Sequence, residues 1–182
     1  MAKNLREELQ HSTESQAEKL MVLLVSRAAG QLEVFSGDES KADVNVNSFK
    51  LGGQDWVCVG APQSTLYDVA VYYEIEVSNP QGNLRTGFAG TCFSGNCPGT
   101  DEHSWAIDEY GSQRHRGEFE NIGLGGSWFR SGGVLCLALD MKAGRLLVRS
   151  GRASQGNQWR EASTGVMPGK EVGPRIFPVV SG

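Results

Sequence analysis

Apolar residues in this chain come in short bursts, and the bursts are separated by Gly-rich or polar stretches. The clearest case is Gly132 to Gly151. Val134 to Leu139 is an almost wholly apolar run, Leu146 to Val148 is a second, and Asp140-Met141-Lys142-Ala143-Gly144 lies between them. A turn ending in Gly can take a positive φ without a Cβ clash, so the stretch predicts a β-hairpin. Leu135, Leu137 and Leu139 share one face of the first strand, and Val134, Cys136 and Ala138 share the other. A strand apolar on both faces belongs inside a sheet covered on both sides, which points to a β-sandwich with this hairpin at its centre.

The remaining pattern is consistent with that reading. Gln31 to Phe35 suits a short strand, Ser36 to Asp43 a polar linker, and Val44, Val46 and Phe49 one strand leading into the domain. Trp56, Val57 and Val59 predict the next strand. Tyr73, Ile75 and Val77 alternate with Glu74 and Glu76, so this strand has one core face and one wet face. Asn79 to Asn83 is a turn, and Leu84 to Ala89 a strand. Three long connections follow, at Gly90 to His103, Glu109 to Ser127 and Ser154 to Lys170. Long loops held on a sheet scaffold are where binding usually resides.

The N-terminus has a different period. Asn4 with Glu7 matches a capping box, and Leu9, Ala17, Leu20, Leu24 and Ala28 fall near helical spacing up to Ala29-Gly30. The spacing predicts a helix over Leu5 to Ala28, laid along the sandwich or docking a partner or a second copy. Its mixed charges argue against a membrane-surface role.

At 182 residues and 19.7 kDa the chain is long enough for one domain with a full core. Its 24 Gly fit an all-β protein rich in turns. A net charge of −4, with no basic cluster interleaved with aromatics, gives no electrostatic case for nucleic acid. No apolar leader opens the chain, and Leu20 to Val25 is too short to span a bilayer. The expectation is an intracellular protein, cytoplasmic or nuclear, with reduced Cys58, Cys92, Cys97 and Cys136, the first and last as small core residues.

Several motifs in chain order resemble those of SPRY domains. Val71-Tyr72-Tyr73-Glu74-Ile75-Glu76-Val77 resembles the family's "YFEVEV" strand, and Arg85-Thr86-Gly87-Phe88-Ala89 resembles "RIGWA". His103 to Asp108 resembles "SWGYD", the Gly132 to Gly151 hairpin the family's signature hairpin, and Ile176 to Ser181 the closing "YPAVS". Gly132-Gly133 replaces the usual Gly-Asp before the hairpin, and Ser150-Gly151 the usual Asn-Gly after it. The resemblance implies an all-β, concanavalin-like sandwich of two antiparallel sheets. The corresponding layout is a helix over 1–30, a linker and first strand over 31–50, and a SPRY domain over 51–182. Phe88, Trp105, Leu137 and Val179 should then be buried together.

The same resemblance implies a non-catalytic, adaptor-type module that recognises a peptide segment or surface of a partner protein, without a cofactor. In some SPRY domains an Arg at the place of Arg85 serves a surface that binds acidic or phosphorylated peptide, which suits a guanidinium. The alternative for Arg85 is an internal ion pair with Glu74 or Glu76. The candidate surface is Arg85 with Asp101, Tyr110 and Arg114, and Trp128 at its edge. A structural subunit of a larger assembly and a carbohydrate- or small-ligand-binding sandwich remain as other readings.

Catalytic and metal motifs are weak. Cys92 and Cys97 with His103 do not have the usual zinc spacing. Asp101, Glu102, His103, Asp108 and Glu109 cluster in sequence but need not converge in space. Gly123 to Gly126 lacks the Lys and the context of a phosphate loop.

Overall fold

The structure is a computed structural model, and it describes residues 33–37, 39–44, 49–51, 56–61, 71–93, 95, 97–140, 143–151, 158–164 and 176–182. The helix expected over Leu5 to Ala28 lies outside the described residues. Along the chain the strands are β1 (Glu33–Ser36), β2 (Ala42–Val44), β3 (Phe49–Leu51), β4 (Cys58–Gly60), β5 (Val71–Val77), β6 (Arg85–Gly90) and β7 (Ser104–Asp108). They continue as β8 (Ser112–His115), β9 (Glu118–Asn121), β10 (Gly133–Asp140), β11 (Arg145–Ser150), β12 (Arg160–Thr164) and β13 (Ile176–Ser181). Short 3-10 turns occupy Glu39–Lys41 and Gly126–Trp128.

Two sheets pack on one another. The larger has seven strands in the order β1-β4-β13-β6-β7-β8-β9, and the smaller has four in the order β12-β11-β10-β5. All of the strand pairings are antiparallel. β2 and β3 form a separate two-stranded ribbon. Sequence alternation suggests one strand from Val44 to Phe49, but Val44 ends β2 and Phe49 begins β3, and the two pair directly.

The core lies between the sheets. From the smaller sheet come Ile75, Val77, Leu135, Leu137, Leu139, Leu146, Val148 and Ala162; from the larger come Phe88, Trp105, Ile107, Ile176 and Val180. Leu135, Leu137 and Leu139 have no exposed surface, as expected for the centre of a sheet covered on both sides. Val134, Cys136 and Ala138 point away from the core. They are buried with Tyr72 on the far face of the same sheet, against Leu147 and Trp159. The Arg149 guanidinium lies 4.6 Å from the Trp159 ring and covers this outer cluster. The turn from β10 to β11 ends at Gly144 with φ +62°, and Ala143 N donates to Asp140 Oδ1 at 2.9 Å.

Three further expectations change. Val179 is buried, but on the outward face of the large sheet with Cys58, Ala89, Phe93 and Phe177; its neighbour Val180 joins Phe88, Trp105 and Leu137. Adjacent residues of a strand point to opposite faces, so apolar character alone could not choose between them. The expected connection from Glu109 to Ser127 contains β8 and β9, a hairpin with a two-residue turn at Arg116-Gly117. The expected connection from Ser154 to Lys170 contains β12, which pairs with β11. Both regions are polar margins that end in an edge strand, β9 or β12, and an edge strand needs little apolar content.

Candidate functional site

Register places Arg85 and Arg114 on the outward face of the seven-stranded sheet. In β6, Phe88 enters the core and Thr86 meets the Tyr73 hydroxyl from the opposite sheet, so Arg85, Gly87 and Ala89 face outward. In β7, Trp105 and Ile107 enter the core, leaving Ser104, Ala106 and Asp108 outward. Arg85 lies opposite Asp108 on one side and Ser181 on the other. Arg114 lies opposite Ala106, and Phe119 opposite Arg114. One face therefore collects Arg85, Asp108, Arg114 and Phe119 from four adjacent strands.

The connection from β6 to β7 folds back across this face. Phe93 packs with Cys58, Ala89, Phe177 and Val179, fixing the start of the loop. Further on, Gly99 N donates to Ser104 Oγ at 2.8 Å, and Ser104 Oγ donates to Asp101 Oδ1 at 2.6 Å. Asp101 Oδ1 also accepts from His103 N at 3.1 Å. The β8–β9 turn docks on the same loop: Arg116 N donates to Asp101 O and Gly117 N to Gly99 O, both at 3.0 Å. A Cβ on Gly99 would come within 2.5 Å of Arg114 Cβ, so the loop backbone can lie this close only without a side chain. Asp101 is thus a loop-organising residue, and only its partly exposed edge is open to a partner.

Arg114 is largely committed. Its Nη2 is 2.7 Å and its Nε 2.8 Å from Asp108 Oδ2. Asp108, with only 1% of its surface exposed, also accepts at Oδ1 from Tyr110 N (3.1 Å) and Ser112 N (2.8 Å). One buried carboxylate therefore ties together the β7–β8 turn and Arg114. The flat face of the Arg114 guanidinium covers the Phe119 ring at 4.9 Å.

Arg85 is placed differently. Its guanidinium lies 5.2 Å from the Trp56 ring, and Nη1 donates to Pro98 O at 3.4 Å. Among the described residues no carboxylate is within ion-pairing distance of it. The expected alternative, a pair with Glu74 or Glu76, fails on topology: these lie on β5 in the other sheet, opposite Cys136 and Val134. Of the two cations on this face, Arg85 has the charge left to offer.

Tyr110, in the β7–β8 turn, is 69% exposed, as is Phe119. Trp128 is a correction to the expected surface. It is 1% exposed and packs in the core beside Phe129, so it cannot meet a partner directly. The backbone just before it is exposed, and there a Cβ on Gly126 would meet Glu109 O at 2.8 Å. The sequence reading missed Phe119 and Trp56 as members of this face. The alternation Glu118-Phe119-Glu120 after the Arg116-Gly117 turn was the available signal for the first.

The remaining candidates do not assemble a reactive centre. Among the described residues no group of three or more His, Cys, Asp or Glu side chains could hold a metal ion. His103 Nε2 is 3.9 Å from Glu102 Oε1, while Asp108 is turned to Arg114. All four cysteines are free; Cys92 is exposed and Cys97 half-buried. Burial pushes the Cys58 thiol far above its ordinary range, and burial also raises Cys97 despite the opposing pull of Arg85. A protonated thiol is a poor nucleophile and a poor metal ligand. The site offers a guanidinium, exposed aromatic area and loop backbone.

No protein-family model matches the sequence, and no curated protein matches it. Solved structures do. The SPRY domain of human HERC1 superposes with a TM-score of 0.58 at 17% identity, over 79% of this chain and 87% of that one. The PSpry domain of TRIM65 superposes with a TM-score of 0.50 at 19% identity, over 68% of this chain and 62% of that one. At such identities the likeness speaks of architecture, and the architecture of this two-sheet sandwich is that of a SPRY domain.

Proposed function

We propose that the chain is a non-catalytic protein-interaction module that grips a partner on the outward face of its seven-stranded sheet. Arg85 is the anchor, Tyr110 supplies contact area, and Asp101 and Arg114 hold the surrounding loops. The observation that carries the reading is the state of Arg85: a half-buried guanidinium flanked by Trp56 and the Pro98 carbonyl, with no carboxylate partner among the described residues. Such a group favours a carboxylate or phosphate on the partner, gripped bidentately. An aromatic beside an Arg is also the composition enriched at binding hot spots. The fold shared with the HERC1 and TRIM65 domains supports a recognition module over an enzyme. The free cysteines suit a reducing, intracellular setting.

The test compares wild type with Arg85→Ala in affinity capture read by mass spectrometry, followed by titration of captured acidic or phosphorylated segments. Arg85→Ala should retain its melting transition and weaken capture by about 2 kcal/mol or more. Capture unchanged by the substitution would move the interface elsewhere.

A further inference from the structure

We propose that β9 is a docking edge for an extended peptide that alternates basic and apolar residues, an edge that borders the face centred on Arg85 at Phe119 but makes no use of Arg85 itself. β9 closes one side of the seven-stranded sheet, and all four of its residues, Glu118 to Asn121, are exposed. The hairpin fixes which backbone groups are free. Arg116 (φ +55°) and Gly117 (φ +77°) form a two-residue turn of the kind with positive φ at both positions. His115 and Glu118 flank the turn and bond to each other, so alternation leaves the N–H and C=O of Phe119 and Asn121 pointing away from β8. These groups can pair with an added strand.

Side chains define the occupant. Glu118 and Glu120 share one face of β9, and among the described residues neither makes an ion pair. Phe119 stands on the other face, 69% exposed and braced by Arg114. An antiparallel strand placed here sets three of its residues opposite Glu118, Phe119 and Glu120. Opposite charges directly across a ladder attract, and an apolar residue across from Phe119 extends its contact area. The fitting sequence is therefore basic–apolar–basic. A second copy of this chain fits badly. Setting Phe119 against itself in a two-fold antiparallel pairing puts Glu118 opposite the copy's Glu120, and shifting one step puts Glu120 opposite Glu120. Like charges across a ladder repel, so in both of these registers the two glutamates oppose self-pairing, while they favour a cationic strand.

The probe is a blocked octapeptide alternating Lys and Val, titrated into isotope-labelled protein and followed by backbone amide shifts. Shifts should centre on Phe119 to Asn121. An otherwise identical peptide, N-methylated on the amides that face β9, keeps its charge but loses two ladder bonds, and should bind about tenfold more weakly. Glu118→Lys with Glu120→Lys should reverse the preference toward a Glu–Val octapeptide, and Arg85→Ala should change nothing. Failure of the Lys–Val peptide to bind, undiminished binding of the methylated peptide, or shifts centred on Arg85 and Tyr110 would each overturn the proposal. Because Arg85→Ala reports on the other surface alone, the two readings fail separately.

Discussion

The molecule contains two hairpins built on opposite principles. β10–β11 sits in the middle of the four-stranded sheet with Leu135, Leu137, Leu139, Leu146 and Val148 sealed in the core. β8–β9 forms one side of the seven-stranded sheet, and Gln113, still 8% exposed, is the one residue of its two strands that is buried. The first hairpin is held by apolar area removed from water, which is non-directional and tolerant of detail. The second is held by directed contacts: Asp108 on Arg114, and the turn amides of Arg116 and Gly117 on the loop carbonyls of Asp101 and Gly99. The centre of the sandwich is thus secured by bulk and its margin by geometry.

Substitutions can separate these two modes of attachment. Leu137→Ala removes a side chain with no exposed surface from the central hairpin, and should lower unfolding free energy by about 3–5 kcal/mol in a denaturant titration. A loss near zero would mean the centre is not held by packing. Asp108→Ala should come next, at about 2 kcal/mol, less than for a fully buried pair because about a quarter of the Arg114 side chain is still in water. Its signature is local: hydrogen exchange should rise over Tyr110 to Asn121 while β10 and β11 stay protected. Exchange that rises equally everywhere would contradict the claim that the margin is attached separately. Phe119→Ala should be smallest, within about 0.5 kcal/mol, because an exposed ring at an edge contributes little to folding. A larger loss would show that the Arg114–Phe119 stack is structural.

The same contrast explains what could be read from the sequence. β5, β6, β7, β10, β11 and β13 carry apolar residues at strand period, and all lie where the pattern puts them, except that the inward residue near the C-terminus is Val180, not Val179. β8, β9 and β12 carry no such burden. Ser112-Gln113-Arg114-His115 and Glu118-Phe119-Glu120-Asn121 look like loop because β9 is an edge strand with one partner and neither strand has more than a trace of core face. Candidate residues follow the same logic. Arg85 was placed by its motif and Tyr110 by its long connection; Tyr110 is exposed and Arg85 half-buried. Arg114 was visible as a cation, but its commitment to Asp108 depends on a register that no local pattern specifies. Trp128 follows a run of glycines that reads as open loop, yet the 3-10 turn directs its indole into the core.

One contact between the sheets has a mechanical meaning. Apolar packing between the layers is non-directional, so a directed contact adds what it lacks. Tyr73 on β5 donates from its hydroxyl to Gly87 O on β6 at 2.6 Å and shares a hydrogen bond of 2.9 Å with Thr86 Oγ1. Burial drives this hydroxyl well above the ordinary tyrosine range, so it keeps its proton and remains a donor at any physiological pH. The ring sets the spacing between the layers and the hydroxyl sets their alignment, as a dowel does between two boards. Arg85 is two residues from Gly87 on that same strand, so the dowel also fixes where the proposed anchor stands relative to the rest of the molecule.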